Sequence, residues 1–324
     1  MSPLTHKAAM VAALSAVAAL GAPTAADAAK NHNGHSVRAE IQGGTLTVKG
    51  SDRGDRVALR LAAGDPTRVQ VDSGDDGSAE FSFARSDLGA IKVRTGGGDD
   101  SARIDDANGA FTDSIPTTIA GGRGDDSLNG GSGAETFRGG NGSDNVVGGR
   151  GNDAAYLGRG NDTFVWNPGE GSDVIEGRRG RDTMLFNGSN APENVTLSSN
   201  QGRLKFFRDV ANVTMDTDGI ETVDFNALGG ADNITVGDLT ATDVTRANLD
   251  LAGTLGGTAG DGAVDNVFVT GTNGSDRVRI NGSGSRADVH ARTSDAEPRW
   301  GLVRAPTLRS ALVSRGQRHS TSTR

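Results

Sequence analysis

The chain contains no cysteine, so neither disulfides nor thiolate-bound metal can hold its fold. Aromatic residues make up only 4%, with one tyrosine and two tryptophans, too little bulky apolar mass for an ordinary layered core. The five histidines, His6, His32, His35, His290 and His319, lie near the two ends. No His-Glu-x-x-His motif and no Gly-x-Ser-x-Gly elbow occurs, so the familiar zinc-protease and hydrolase signatures are missing and no enzymatic activity is expected. Positive charge is in deficit: 33 Lys and Arg face 41 Asp and Glu, a net charge of −8, which disfavours nucleic acid as a partner and suits cations. Beyond Ala8–Leu20, no apolar run approaches the length of a membrane span.

What the chain has in quantity is glycine, 49 residues, together with aspartate. High glycine and high charge usually signal disorder, but disordered sequence has no reason to keep a fixed period, and this one does. From Gly121 to Leu185 it reads in nines: GGRGDDSLN, GGSGAETFR, GGNGSDNVV, GGRGNDAAY and LGRGNDTFV, then Trp166 and Asn167, then PGEGSDVIE and GRRGRDTML. The fourth position is always glycine: Gly124, Gly133, Gly142, Gly151, Gly160, Gly171 and Gly180. The sixth is always acidic: Asp126, Glu135, Asp144, Asp153, Asp162, Asp173 and Asp182. The eighth is always apolar: Leu128, Phe137, Val146, Ala155, Phe164, Ile175 and Met184. Such phasing marks a structural repeat whose units stack.

Each unit divides into a turn and a short strand. Glycine in the turn tolerates positive φ and lets backbone approach closely. In the strand, side chains alternate, so the apolar eighth residue faces inward while its neighbours face out. Two units then make one flattened coil of eighteen residues, and each turn stacks on the turn two units away. This geometry predicts two rows of carboxylates, one holding Asp126, Asp144, Asp162 and Asp182, the other Glu135, Asp153 and Asp173. Stacked strands lie about 4.7–4.9 Å apart, close enough for bare carboxylates to repel. Calcium seated between turns would take a carboxylate from each and complete its shell with backbone carbonyls, whereas Mg²⁺ wants a tighter octahedron. The expected metal-site residues are therefore these seven acids and Gly124, Gly133, Gly142, Gly151 and Gly160. The insertion of Trp166 and Asn167 lengthens the later spacing from eighteen to twenty, so the steps from Asp153 to Asp173 and from Asp162 to Asp182 are expected to be the imperfect ones.

The pattern G-G-x-G-x-D-x-U-x, carried by the units above, resembles the haemolysin-type (RTX) calcium-binding repeat. The resemblance implies an all-β fold, a parallel β-roll or right-handed β-solenoid, with Ca²⁺ as the bound ion. It covers about a fifth of the chain. Glu135 in place of Asp, Leu157 and Pro168 in place of the first glycine, and Arg178 in place of the second depart from the pattern.

The surrounding sequence divides by composition. Residues 1–28 read as a secretory signal: a short charged start ending in His6 and Lys7, the apolar run Ala8–Leu20, and Ala26-Asp27-Ala28 as a cleavage signature; a membrane anchor is the other reading of that run. The mature protein is expected to be extracellular, with no membrane span. Residues 29–119 alternate short strands with Gly/Asp turns, as at Gly50–Val57 and Gly96–Asp100, and read as degenerate turns of the same solenoid or as a separate small β-sandwich. Residues 120–186 are the roll, and residues 187–284 resume the turn–strand grammar at Gly229–Val236. Residues 285–324 hold eight arginines against three acids and read as a basic, poorly ordered tail.

The sequence favours a binding role. The leading expectation is a secreted calcium-binding repeat protein. A calcium-dependent adhesive or extracellular-matrix/surface protein, with a cell surface or extracellular polymer as partner, is the alternative, followed by a non-catalytic or weakly catalytic relative of solenoid polysaccharide-active enzymes. Two Arg-Gly-Asp triplets, Arg53-Gly54-Asp55 and Arg123-Gly124-Asp125, lie where the turns already need Gly and Asp.

Overall fold

Within each repeat the strand residues alternate between buried and solvent-facing, and all seven apolar eighth-position residues, from Leu128 to Met184, are 0% exposed. In the computed structural model, which describes residues 36–270 and the backbone of further short strands on either side, this alternation builds a β-roll of two facing sheets. One sheet stacks Thr117–Arg123, Glu135–Asn141, Ala154–Gly160 and Val174–Gly180 in parallel. The other stacks Ser127–Asn129, Asn145–Val147, Thr163–Trp166 and Thr183–Asn187, also in parallel. Thr117 pairs with Glu135 and Asn145 with Thr163, so the coil is eighteen residues; after the insertion Ala154 pairs with Val174 and Thr163 with Thr183, a coil of twenty.

The insertion does not break the stack. Trp166 extends its strand by one residue and pairs with Phe186, and Asn167 opens a tight turn closed by the Glu170 amide donating to its carbonyl at 3.1 Å. Trp166 is 0% exposed. Its ring lies parallel to that of Phe186, with centroids 4.0 Å apart, and Phe186 continues to Phe206 and Phe225. Two residues that look in sequence like an interruption are the start of an aromatic core. The other departures are also absorbed: Ala155 and Leu157, two residues on and facing the same way, are both 0% exposed. Large apolar side chains buried to this extent each contribute roughly 1.5–3 kcal/mol.

Both flanks continue the two sheets. On the N-terminal side Thr45–Lys49 and Ala90–Gly97 extend the first sheet in parallel, and Arg56–Ala62 and Ser101–Asp105 extend the second. The longer coils there are occupied by antiparallel excursions, Ser36–Gln42 on one sheet and Asp65–Ser73 with Phe81–Ala84 on the other. On the C-terminal side Val213–Asp218, Arg203–Arg208 and Asn194–Asn200 form an antiparallel meander inside the first sheet before parallel stacking resumes with Asn233–Val236 and Asn266–Thr270. One hydrophobic cluster runs from Val37 to Val267, so the N-terminal flank is solenoid and not a separate sandwich. Of the expected signal segment only the backbone of Thr24–Ala25 is described, and the side chains of the expected basic tail lie outside the described residues. Among the described residues no helix is long and apolar enough to cross a membrane.

Candidate metal rows

The acidic sixth residue stands where each turn enters its strand, and the stacking places successive acids one above another. The amide of Asp126 donates to Oδ1 of Asp144 at 3.0 Å, that of Asp144 to Asp162 at 2.8 Å, and that of Asp162 to Asp182 at 2.9 Å. On the other edge Glu135 donates to Asp153 at 2.6 Å and Asp153 to Asp173 at 2.8 Å. The seven acids thus fall into the two rows set by the eighteen-residue coil. The steps across the insertion, expected to be imperfect, have the same geometry as the rest: both extra residues sit in the strand end and turn around Trp166 and Asn167, leaving the amide–carboxylate step untouched.

The first row is longer than the nonapeptide block. Asp55 donates to Asp100 at 2.7 Å and Asp100 to Asp126 at 2.9 Å, while Asp182 donates to Glu221 at 2.7 Å. Beyond the meander a further row links Glu193, Asp232 and Asp265, at 2.8 and 3.1 Å. These members escape a nine-residue search because their coils are 26, 45, 39 or 33 residues long. The local Gly-x-Asp turn at Gly98–Asp100 was the available signal.

In the six block aspartates one oxygen accepts the amide of the preceding coil; in Glu135, which opens its row, Oε2 accepts the Gly131 amide of its own turn at 2.9 Å. In all seven block acids the second oxygen (Oδ2, or Oε1 of Glu135) is buried and has no hydrogen-bond partner, and the residues are at most 2% exposed. The same open oxygen recurs outside the block at Asp100, Asp232 and Glu193 (Oε2), whereas Asp55 is closed by its own turn. Ser51 gives both its amide, at 2.6 Å, and its hydroxyl, at 2.9 Å, to Asp55 Oδ2. Ser189 does the same to Glu193 Oε1, at 2.9 and 2.6 Å, and the buried guanidinium of Arg208 pairs with that oxygen. Serine stands there at the second position of the turn, where the block carries glycine in six units and Arg178 in the seventh.

A buried carboxylate oxygen without a donor costs several kcal/mol unless the group is neutralised or paired with a cation. In the metal-free chain, burial pushes Asp126, Glu135 and Asp173 up to about 7, Asp144, Asp162 and Asp182 up to about 6, and Asp153 up to about 9. Neighbouring charges in the rows raise Asp126, Asp153, Asp162 and Asp182 further, while the amide from the preceding coil pulls these four part of the way back.

The residues present fit a hard cation. Every donor is oxygen, and no group of three His, Cys, Asp or Glu side chains converges among the described residues, so an ion must complete its shell from backbone carbonyls. The turns supply these in stacks. A Cβ at Gly142, where φ is +123°, would lie 2.0 Å from the carbonyl oxygen of Gly124. Gly124, Gly133, Gly151 and Gly160 meet the carbonyl beneath them in the same way. At Gly121 and Gly139 a Cβ would fall 2.1 and 2.3 Å from the free oxygen of Asp126 and Asp144, so only glycine fits beside that oxygen. Carboxylates mixed with carbonyls in an adaptable turn suit Ca²⁺ better than Mg²⁺, and the absence of nitrogen and sulfur donors is unsuited to Zn²⁺. The Arg-Gly-Asp triplets are absorbed into the stack: Asp55 belongs to the first row, and Asp125 accepts from the Ser143 amide at 2.6 Å.

A family model for the RTX calcium-binding nonapeptide repeat (4 copies) matches residues 117–146, 129–164 and 169–190. No curated protein matches the chain. The central coils are RTX calcium-binding repeats, and calcium is their ion.

Proposed function

We propose that this RTX repeat protein is a secreted calcium-binding protein whose roll folds around Ca²⁺ held between stacked turns. The observation that supports this most directly is the set of seven buried carboxylates with one oxygen held by a backbone amide, from the preceding coil in the six aspartates and from its own turn in Glu135, and the other without a partner. Asp126, Glu135, Asp144, Asp153, Asp162, Asp173 and Asp182 would provide the charge, and Gly124, Gly133, Gly142, Gly151 and Gly160 the close backbone approach. Bound calcium would neutralise each row, so its binding free energy becomes folding free energy. Asp55, whose second oxygen is held by Ser51, would close the N-terminal end of the first row without metal.

Export through the N-terminal segment 1–28 would deliver the chain to a calcium-rich compartment, and the mature chain would then comprise a β-rich region at 29–119, the roll at 120–186, a solenoid flank at 187–284 and the basic segment 285–324. The role is binding and not catalysis: the sequence offers no nucleophile–base or metalloprotease motif, and the buried acids are committed to stacking. Calcium titration of the mature chain, followed by calorimetry and far-ultraviolet circular dichroism, tests the reading. A calcium-dependent gain in β signal and thermal stability is expected, with midpoints in the range of about 10⁻⁴–10⁻³ M common to extracellular modules. Identical spectra and melting curves with and without calcium would overturn it.

A further inference from the structure

We propose that the outer face of the first sheet, around Tyr156, is a binding site for an acidic polysaccharide. Tyr156, the chain's only tyrosine, points outward from Ala154–Gly160 in the middle of the roll. Arg138 is its register partner on the preceding strand. The guanidinium of Arg138 lies 5.2 Å from the ring centroid, and that of Arg178, from the following strand, lies at the same distance. Beside them Arg159 and Arg179 are direct cross-strand partners, and Arg123 lies two rungs before Arg159 through Asn141. All five arginines are exposed, and Arg138, Arg159, Arg178 and Arg179 border, with Tyr156, a shallow depression of about 490 Å³.

This arrangement works against the fold. Like charges directly opposite on neighbouring strands are destabilising, and among the described residues none of the five arginines forms an ion pair. The carboxylate in register with Tyr156, Glu176, is taken by Arg203 at 2.9 Å. Arg178 carries a second cost. It replaces the second-position glycine present in the six preceding units, and its backbone sits at φ +78°, in the left-handed region that disfavours L side chains. Local strain and uncompensated charge, concentrated on one face of a chain with net charge −8, point to an anionic ligand that repays them.

The geometry also narrows the ligand. Guanidinium forks recognise carboxylates in a planar, two-point manner, and rungs about 4.7–4.9 Å apart offer evenly spaced cations to an extended polymer. Base recognition in single-stranded nucleic acid needs free aromatic faces for stacking, and here guanidinium groups flank the one tyrosine. A polymer bearing carboxylates along an extended backbone fits; a polynucleotide does not. This site uses none of the row residues but lies on strands of the roll, so it rests on the calcium reading; a calcium-induced β signal without hyaluronate binding would fail the site alone.

The test uses the full mature chain in calcium buffer and short hyaluronate oligomers as the uronate probe, with dextran and single-stranded DNA as comparators. Saturable hyaluronate binding that weakens with salt is expected. Arg178→Gly restores the turn glycine, so it should raise the melting temperature while weakening binding by about tenfold, the loss expected for one charge-assisted contact. Arg138→Ser should weaken binding similarly with an unchanged β spectrum, and the charge-matched control Arg246→Ser on the other sheet should bind like the parent. Absence of saturable binding, equal binding of dextran, tighter binding of DNA, or parental affinity in both Arg178→Gly and Arg138→Ser would overturn the proposal.

Discussion

Trp166 and Phe186 stack face to face, ring centroids 4.0 Å apart and planes 3° from parallel. Trp166 Nε1 donates to the carbonyl of Gly171 at 2.7 Å and the Arg208 guanidinium lies 5.4 Å from its ring centroid, so the side chain joins the insertion, the core and the C-terminal end. Trp166→Ala removes this stack and leaves a cavity between two coils. A loss of roughly 3–5 kcal/mol is expected, read by chemical denaturation in saturating calcium. A loss below about 1 kcal/mol, the scale of a surface change, would show that the insertion is peripheral to the core.

The open and closed carboxylates should respond differently to the same change. Asp144→Asn keeps an acceptor for the Asp126 amide but removes the charge, so calcium stoichiometry should fall and the calcium midpoint for folding should rise. Asp55→Asn, whose second oxygen is held by Ser51, should leave both almost unchanged. Isothermal calorimetry on the two variants separates them, and equal effects would contradict the distinction.

The stacked glycines leave no room for a side chain. Gly142→Ala would place a Cβ 2.0 Å from the Gly124 carbonyl oxygen at a residue with φ +123°. Left-handed strain alone costs about 1–3 kcal/mol, and the contact forces neighbouring coils apart as well. Calcium should no longer induce the full β signal. A normal calcium response by circular dichroism would mean that the turns are looser than their stacking implies.

Acid should act in opposite directions on the two states. The folded row acids titrate above the ordinary aspartate range, Asp144 at about 6, Asp126 at about 7 and Asp153 at about 9, because burial disfavours their charge. Unfolded carboxylates titrate near 4. Between these values the metal-free fold binds more protons than the unfolded chain, so its stability falls as pH rises from about 4 through about 7. Calcium binding requires ionised carboxylates and therefore strengthens over the same interval. Melting curves with chelator and with calcium, from pH 5 to 8, should diverge as pH rises. Parallel curves would show that the rows do not titrate as a buried array.

The RTX repeat was legible because it depends on local chemistry alone: glycine where the turn needs positive φ, an acid at the sixth position and an apolar residue at the eighth. The pairing of Asp126 with Asp144 and of Glu135 with Asp153 followed from coil length alone. Tertiary structure decided where the rows end, since Asp55, Asp100 and Glu221 join the first row through coils whose lengths depart from the period. It also decided that Trp166 builds core, because a residue added at a strand end can be accommodated by stacking on Phe186 in the next coil. The arginine face around Tyr156 was invisible in the chain for the same reason. Arg138, Arg159 and Arg178 are spread over six units, and only the stacking of coils brings their charges onto adjacent rungs.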